Sequence, residues 1–258
     1  MVFPVCLRLG ALCIPPHPLF EALAYALAFR LYLVLRRRQG DPVILDQRWW
    51  LIAAAAVGAL LGAKLLFLLE DPSLLSYRFA HPLFLFDGKT IVGALIGGFF
   101  AVEWTKRRLG ITARTGDLFA LPLCLGIAVG RIGCFLTGLP DLTCGLPTRL
   151  PWGVNFGDGV PRHPSQLYEI LFLALLFLFI LRASRRPHRQ GDLYRFFMVG
   201  YLVFRLFADF LKPDVRVFLG LSSIQWACLL MLLVFAPDLA RWLGPSSHLA
   251  NPPRAVSV

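Results

Sequence analysis

Three cations in this sequence stand where a charge is expensive: Lys64, Arg131 and Arg205, each inside an apolar run. Arg131 interrupts residues 126–138, which read Gly-Ile-Ala-Val-Gly-Arg-Ile-Gly-Cys-Phe-Leu-Thr-Gly. Near the middle of a bilayer such a charge costs roughly 2.5–3.5 kcal/mol on insertion scales, so it faces a partner or a wet cavity. Gly130 and Gly133 remove side chains on both sides of it, and a helix or a ligand can come close. The chemistry this pattern supports is anion binding, because the planar guanidinium fork matches the oxygens of a phosphate. The plainer alternative is a structural arginine paired to an acidic neighbour.

The elements that must position these residues follow from composition. The chain has 258 residues, is 57% hydrophobic and only 16% charged, and has a mean hydropathy of +0.67. That describes a polytopic membrane protein. The net charge of +11 serves topology and contact with anionic lipid in such a protein, so nucleic acid is set aside as a partner. Six cysteines show no C-x-x-C spacing and five scattered histidines form no metal-ligand pair, so no disulfide framework, metal or cofactor is expected. The N-terminus lacks a basic region and an Ala-x-Ala site, so no cleaved signal peptide is expected.

Seven apolar segments are long enough, or nearly so, to span: 18–35, 49–69, 90–105, 117–137, 166–183, 193–211 and 222–243. Alternate loops hold twelve Lys/Arg against six, which puts the N-terminus outside and the C-terminus inside. The expected fold is all-α: one seven-helix membrane domain over 1–243, with residues 138–165 as a small extracytoplasmic cap. Residues 70–89 are expected at the interface, and residues 244–258 form a disordered cytoplasmic tail. Small-x-x-x-small pairs (Gly58/Gly62, Gly93/Gly97, Gly126/Gly130) mark faces for close helix packing.

Lys64, Arg131 and Arg205 each lie six residues before the outer end of a segment, about 9 Å deep at about 1.5 Å per residue. They share one depth in one leaflet. Tyr25 with Glu21, Asp209 one turn after Arg205, and His163, Gln166, Tyr168 and Glu169 lie at the same level. A cluster of this depth, with excess positive charge, suits a phospholipid headgroup phosphate. Isolated ion pairs such as Arg205–Asp209 are the alternative. A transporter would more often show repeats and a midplane site.

The runs 130–135 (Gly-Arg-Ile-Gly-Cys-Phe) and 162–169 (Arg-His-Pro-Ser-Gln-Leu-Tyr-Glu) resemble the bacterial prolipoprotein diacylglyceryl transferases. So do 62–64 (Gly-Ala-Lys), 90–98 (Thr-Ile-Val-Gly-Ala-Leu-Ile-Gly-Gly) and 205–210 (Arg-Leu-Phe-Ala-Asp-Phe), and the likeness runs from the first segment to Gln225. The resemblance implies seven spans in a bacterial inner membrane. It also implies transfer of a diacylglyceryl group from phosphatidylglycerol to the lipobox cysteine of a prolipoprotein, with glycerol 1-phosphate released. Arg131 and Arg205 would grip the phosphate, with Tyr25 and His163 lining the site. Lys64, Gly93, Gly130, Gly133, Gln166, Tyr168, Glu169 and Asp209 would complete it.

The chain departs from the family pattern at four places. Val92 stands where a histidine is usual, Cys134 for an asparagine, Leu139 for an acidic residue and Asp209 for a glutamate. Phosphate leaves readily, and fixed arginines can stabilise its developing charge. The acceptor supplies its own thiol, which is a few per cent thiolate at neutral pH. A base adds on the order of 10²–10⁴-fold, and His163 or Asp209 could serve. Cys134 is expected to be a small packing residue. A different acceptor, or lipid binding without catalysis, are the rival readings.

Overall fold

The computed structural model describes residues 3–9, 12–74 and 88–243. The expectations for residues 75–87 and for the tail 244–258 lie outside the described residues. An antiparallel pair, β1 (Leu7–Leu9) and β2 (Leu12–Ile14), precedes the helices. Helices follow at α1 (Pro16–Gln39), α2 (Leu45–Glu70), α3 (Ile91–Arg108) and α4 (Asp117–Thr137). A second small ladder, β3 (Val154–Asn155) with β4 (Pro161–Arg162), leads to α5 (Ser165–Ala183) and α6 (Asp192–Ala208). The chain closes with α7 (Ser223–Val234) and α8 (Ala236–Leu243). The fold is mostly helical, and the all-α expectation is amended by these two ladders.

Local chemistry sets the helix ends. Proline opens α1, where its missing N–H has no intrahelical partner to lose. The Thr90 hydroxyl accepts the Gly93 N–H at 3.2 Å to start α3, and Ser222 with Gln225 forms a reciprocal capping box on α7. The expected seventh segment, 222–243, is broken: α7 and the next helix meet at 61°. Pro237 explains the break, since it has no N–H for the Leu233 carbonyl one turn back and its ring would strike it.

Four helices (α1, α2, α4 and α5) are each long and apolar enough to cross a membrane, and the bent α7–α8 pair makes a fifth if it is one span. Leucines 60, 61, 65, 171, 175 and 178 point outward and stay exposed, a surface that a bilayer covers. The chain is a membrane protein.

Glycine dictates how α2 meets α3. A β-carbon on Gly62 would strike the Gly93 carbonyl, and one on Gly97 would strike the Gly58 carbonyl. The two backbones touch, as small-x-x-x-small faces allow. The centre of the core is α6, whose Phe197, Met198, Tyr201 and Leu202 are fully buried against Leu173 and Ile180 of α5, Cys124 of α4 and Cys228 of α7. Cys6 is disulfide-bonded, which corrects the expectation that no disulfide is present.

Candidate functional site: a buried arginine pair on one glutamate

Three helices bring their charges to one point. Arg131 of α4, Glu169 of α5 and Arg205 of α6 are 7%, 2% and 4% exposed, so none of them is solvated as an isolated ion would require. Glu169 lies between the arginines: its Oε2 is 2.9 Å from Arg131 Nε and 3.5 Å from Arg205 Nη1. Its other oxygen accepts the Tyr201 hydroxyl at 2.7 Å. Asp209, fully buried, accepts from Arg205 Nη2 at 3.2 Å and from the Ser222 hydroxyl. The expected pair Arg205–Asp209 thus exists inside a larger cluster that Glu169 joins together.

The arginines keep donor capacity. Nε and Nη1 of Arg205 and Nε of Arg131 make no aligned hydrogen bond among the described residues, although the ionic contacts to Glu169 are close. Lys212, just past the short 3₁₀ turn Asp209–Leu211, adds a third cation. Burial, together with the Arg205 and Arg131 charges, pulls its ammonium down to about 8. Burial and the nearby Asp209 push the Asp214 carboxyl up to about 6. Buried guanidiniums with unused N–H groups are suited to receive an external anion.

Other expected residues lie differently. Gly130 has open space beside it, so a ligand can approach Arg131 there. The space at Gly133 is filled by Phe20 and His17 of α1. Gly93, expected to complete the site, has no room for a ligand beside it, because the α2 backbone at Gly62 fills that space, and Val92 is 1% exposed within the core. Tyr25 is 70% exposed on α1 and donates only a long hydrogen bond, 3.4 Å, to Glu21. Lys64 Nζ donates to the Gly88 carbonyl at 2.8 Å. His163 Nδ1 lies 3.2 Å from the Tyr168 hydroxyl, which accepts the Trp152 indole N–H at 2.8 Å. The Gln166 amide donates to Thr143 Oγ1 at 3.1 Å, anchoring residues 141–146 to the start of α5.

An apolar groove of about 530 Å³ runs along α5 and α6, the helices that carry Glu169 and Arg205. Tyr168, Phe172, Phe204, Phe207 and Leu211 line it. Against this geometry, the family profile described as prolipoprotein diacylglyceryl transferase matches residues 4–239. The chain belongs to the prolipoprotein diacylglyceryl transferase family. Among relatives in that family, the phosphatidylglycerol–prolipoprotein diacylglyceryl transferase of Bordetella avium strain 197N is 35% identical, over 89% of this chain and 90% of its own length. The protein of that name from Bordetella parapertussis is 36% identical over 90% and 92%, and that from Geobacter sulfurreducens 34% over 90% and 91%.

This member of the diacylglyceryl transferase family also has a polar group that sequence spacing hides. His17 opens α1, Cys134 closes α4, and Asp141 follows on a 3₁₀ turn, Leu139–Asp141. His17 Nδ1 is 2.8 Å from Asp141 Oδ1 and 3.8 Å from Cys134 Sγ, and Arg131 Nη1 donates to that sulfur at 3.8 Å. Cys134, expected to be an apolar packing residue, is in polar company. Burial raises the Asp141 carboxyl, but hydrogen bonds from His17 and Thr143 outweigh it and hold Asp141 below its usual range. The only local signals were the i,i+3 spacing of Arg131 and Cys134 and the i,i+4 spacing of His17 and Glu21.

Proposed function

We propose that this protein transfers a diacylglyceryl group from phosphatidylglycerol to the lipobox cysteine of a prolipoprotein, forming a thioether and releasing glycerol 1-phosphate. The observation that supports it is the buried Arg131–Arg205 pair joined by Glu169, with Arg205 and Glu169 on the two helices that border an apolar groove. In this reading the acyl chains lie in the groove and the phosphate meets Arg131 and Arg205. Glu169, anchored by Tyr201, holds both guanidiniums in place before the lipid arrives, so charge stabilisation needs no reorganisation. The acceptor sulfur attacks the glycerol carbon, the carbon–oxygen bond to phosphate breaks, and the electron pair leaves on glycerol 1-phosphate. The thiol proton passes to His163 Nε2, which is free to accept when Nδ1–H donates to Tyr168.

The same reading has seven spans in a bacterial inner membrane, N-terminus outside and C-terminus inside. Residues 138–165 form an external cap over the site and 244–258 a cytoplasmic tail. The loop charges support this orientation, which puts the start of α1 and the end of α4 on the outer side. Phosphatidylglycerol, the lipobox segment and surrounding lipids are the partners. A second reading keeps the lipid site and changes the acceptor; the buried Val92 in place of a histidine favours it.

Purified protein given labelled phosphatidylglycerol and a lipobox peptide decides between them. Lipidated peptide is expected. Released glycerol phosphate with unmodified peptide would move the assignment to another acceptor, and lipid binding without product would remove catalysis. Cysteines placed at 150 and 215 should label from outside and those at 110 and 187 only from inside; outside labelling at 187 would reverse the topology.

A further inference from the structure

We propose that His17, Cys134 and Asp141 form a binding site for a soft divalent transition cation of the zinc class. It lies beside the arginine pair and does not depend on the transferase reading. The donor atoms (His17 Nδ1, Cys134 Sγ and Asp141 Oδ1) all lie within 4.8 Å of one another. Around a tetrahedral zinc, with bonds of about 2.0–2.3 Å, donor atoms sit about 3.3–3.5 Å apart. The two separations from His17, 2.8 Å to Asp141 and 3.8 Å to Cys134, bracket that value, so each is within about 0.7 Å of metal-ligand spacing. Imidazole, thiolate and carboxylate together favour zinc or cobalt over magnesium or calcium.

The surroundings match what metal ligands require. Each donor stands on a defined element: the first turn of α1, the last turn of α4 and the 3₁₀ turn after it. Ligating groups are normally oriented by outer partners. Glu21 Oε2 lies 3.7 Å from His17 Nε2, one helical turn on, and the Thr143 hydroxyl donates to Asp141 Oδ2 while accepting from Gln166. Cys134 is a free thiol, and the Arg131 guanidinium donates to its sulfur at 3.8 Å. Thiolate and carboxylate supply two negative charges to a divalent ion, and Glu169 already balances Arg131. On binding, the Cys134 thiol proton is released and the imidazole proton passes to Nε2, facing Glu21. His17, a third exposed, leaves a fourth position open to water or an incoming thiol.

The test is a cobalt titration of the purified full chain in detergent, followed by optical absorption. One Co²⁺ per chain should develop a sulfur-to-cobalt charge-transfer band, and Zn²⁺ should abolish it. The band should vanish in Cys134→Ser and survive in Cys124→Ser. His17→Gln and Asp141→Asn should each weaken cobalt binding at least tenfold, since even outer-partner losses cost 10–100-fold. No band in the wild type, or an equal band in Cys134→Ser, overturns the site. If Cys134→Ser does not fold, alkylation of wild type replaces it: zinc should slow maleimide modification of Cys134 at least tenfold, and an unchanged rate overturns the proposal.

Discussion

Replacing Arg131 by lysine keeps the charge and removes the fork. In the structure one guanidinium does two things: Nε faces Glu169 at 2.9 Å and Nη1 reaches Cys134 Sγ at 3.8 Å, with the rest of the fork left for a phosphate. A single ammonium can satisfy Glu169 or the phosphate, not both with this geometry. The ion pair with Glu169 is retained in the simpler outcome, so the fold survives; deleting one partner of such a buried pair would cost about 3–5 kcal/mol. What is lost is a donor aimed at developing charge, which is worth about 2.7–4 kcal/mol, or 10²–10³-fold in rate. The assay is transfer from labelled phosphatidylglycerol to a lipobox peptide, with the melting temperature measured alongside. Arg131→Lys should melt within a few degrees of wild type and be 10²–10³-fold slower. In Glu169→Gln the lysine substitution should cost much less, because the two residues act as one unit. A rate within threefold of wild type in Arg131→Lys would refute bidentate phosphate contact as the function of this residue.

His163→Ala should slow transfer on the order of 10²-fold, and Tyr168→Phe should lose part of that rate by releasing the Nδ1 tautomer; Val92→His should rescue neither and should lower the melting temperature, because that site is sealed in the core. Lys212, held near 8, loses its charge above about pH 8, so transfer should fall there while Lys212→Arg keeps its rate to higher pH. Stability should move the other way: between about pH 8 and 10.5 the unfolded chain binds the proton that the folded one has released, so the folded state gains as pH rises through that window. Gly97→Leu should destabilise by about 1–3 kcal/mol or more, measured by thermal melting, since its side chain must enter the Gly58 backbone.

Much of the helical order is legible in the residues. Thr90, the Arg36–Arg38 and Lys106–Arg108 clusters, and Ser222 with Gln225 mark helix ends where the structure has them. The Gly58/Gly62 and Gly93/Gly97 spacings announce the α2–α3 contact, but not that it uses up the space at Gly93. Depth arithmetic puts Arg131 and Arg205 on one level, and they do meet, because depth along parallel or antiparallel helices survives packing. What depth cannot supply is azimuth. Tyr25 is level with the site and faces away from the protein. Glu169 as the shared partner, and His17 across 117 residues from Cys134, depend on which helices become neighbours. The break before α8 is written in Pro237, inside a run whose length alone would allow one continuous span.

The segment joining α6 to α7 is pinned at its base and exposed at its tip. Arg216 Nη1 donates to Gln225 Oε1 at 2.8 Å and its Nη2 to the Asp209 carbonyl at 3.0 Å, while Ser222 reaches the Asp209 carboxylate. Beyond that clasp, Phe218 and Leu221 pair across a turn whose Leu219 and Gly220 have φ of 50° and 72°, with Leu219 75% exposed. Strain introduced at the tip is therefore absorbed before it reaches Arg205. Residues 219–220 form an insertion point: an epitope or a fluorophore placed there reports on the protein from outside its working parts, and length variation at that spot is free to accumulate without disturbing the arginine pair.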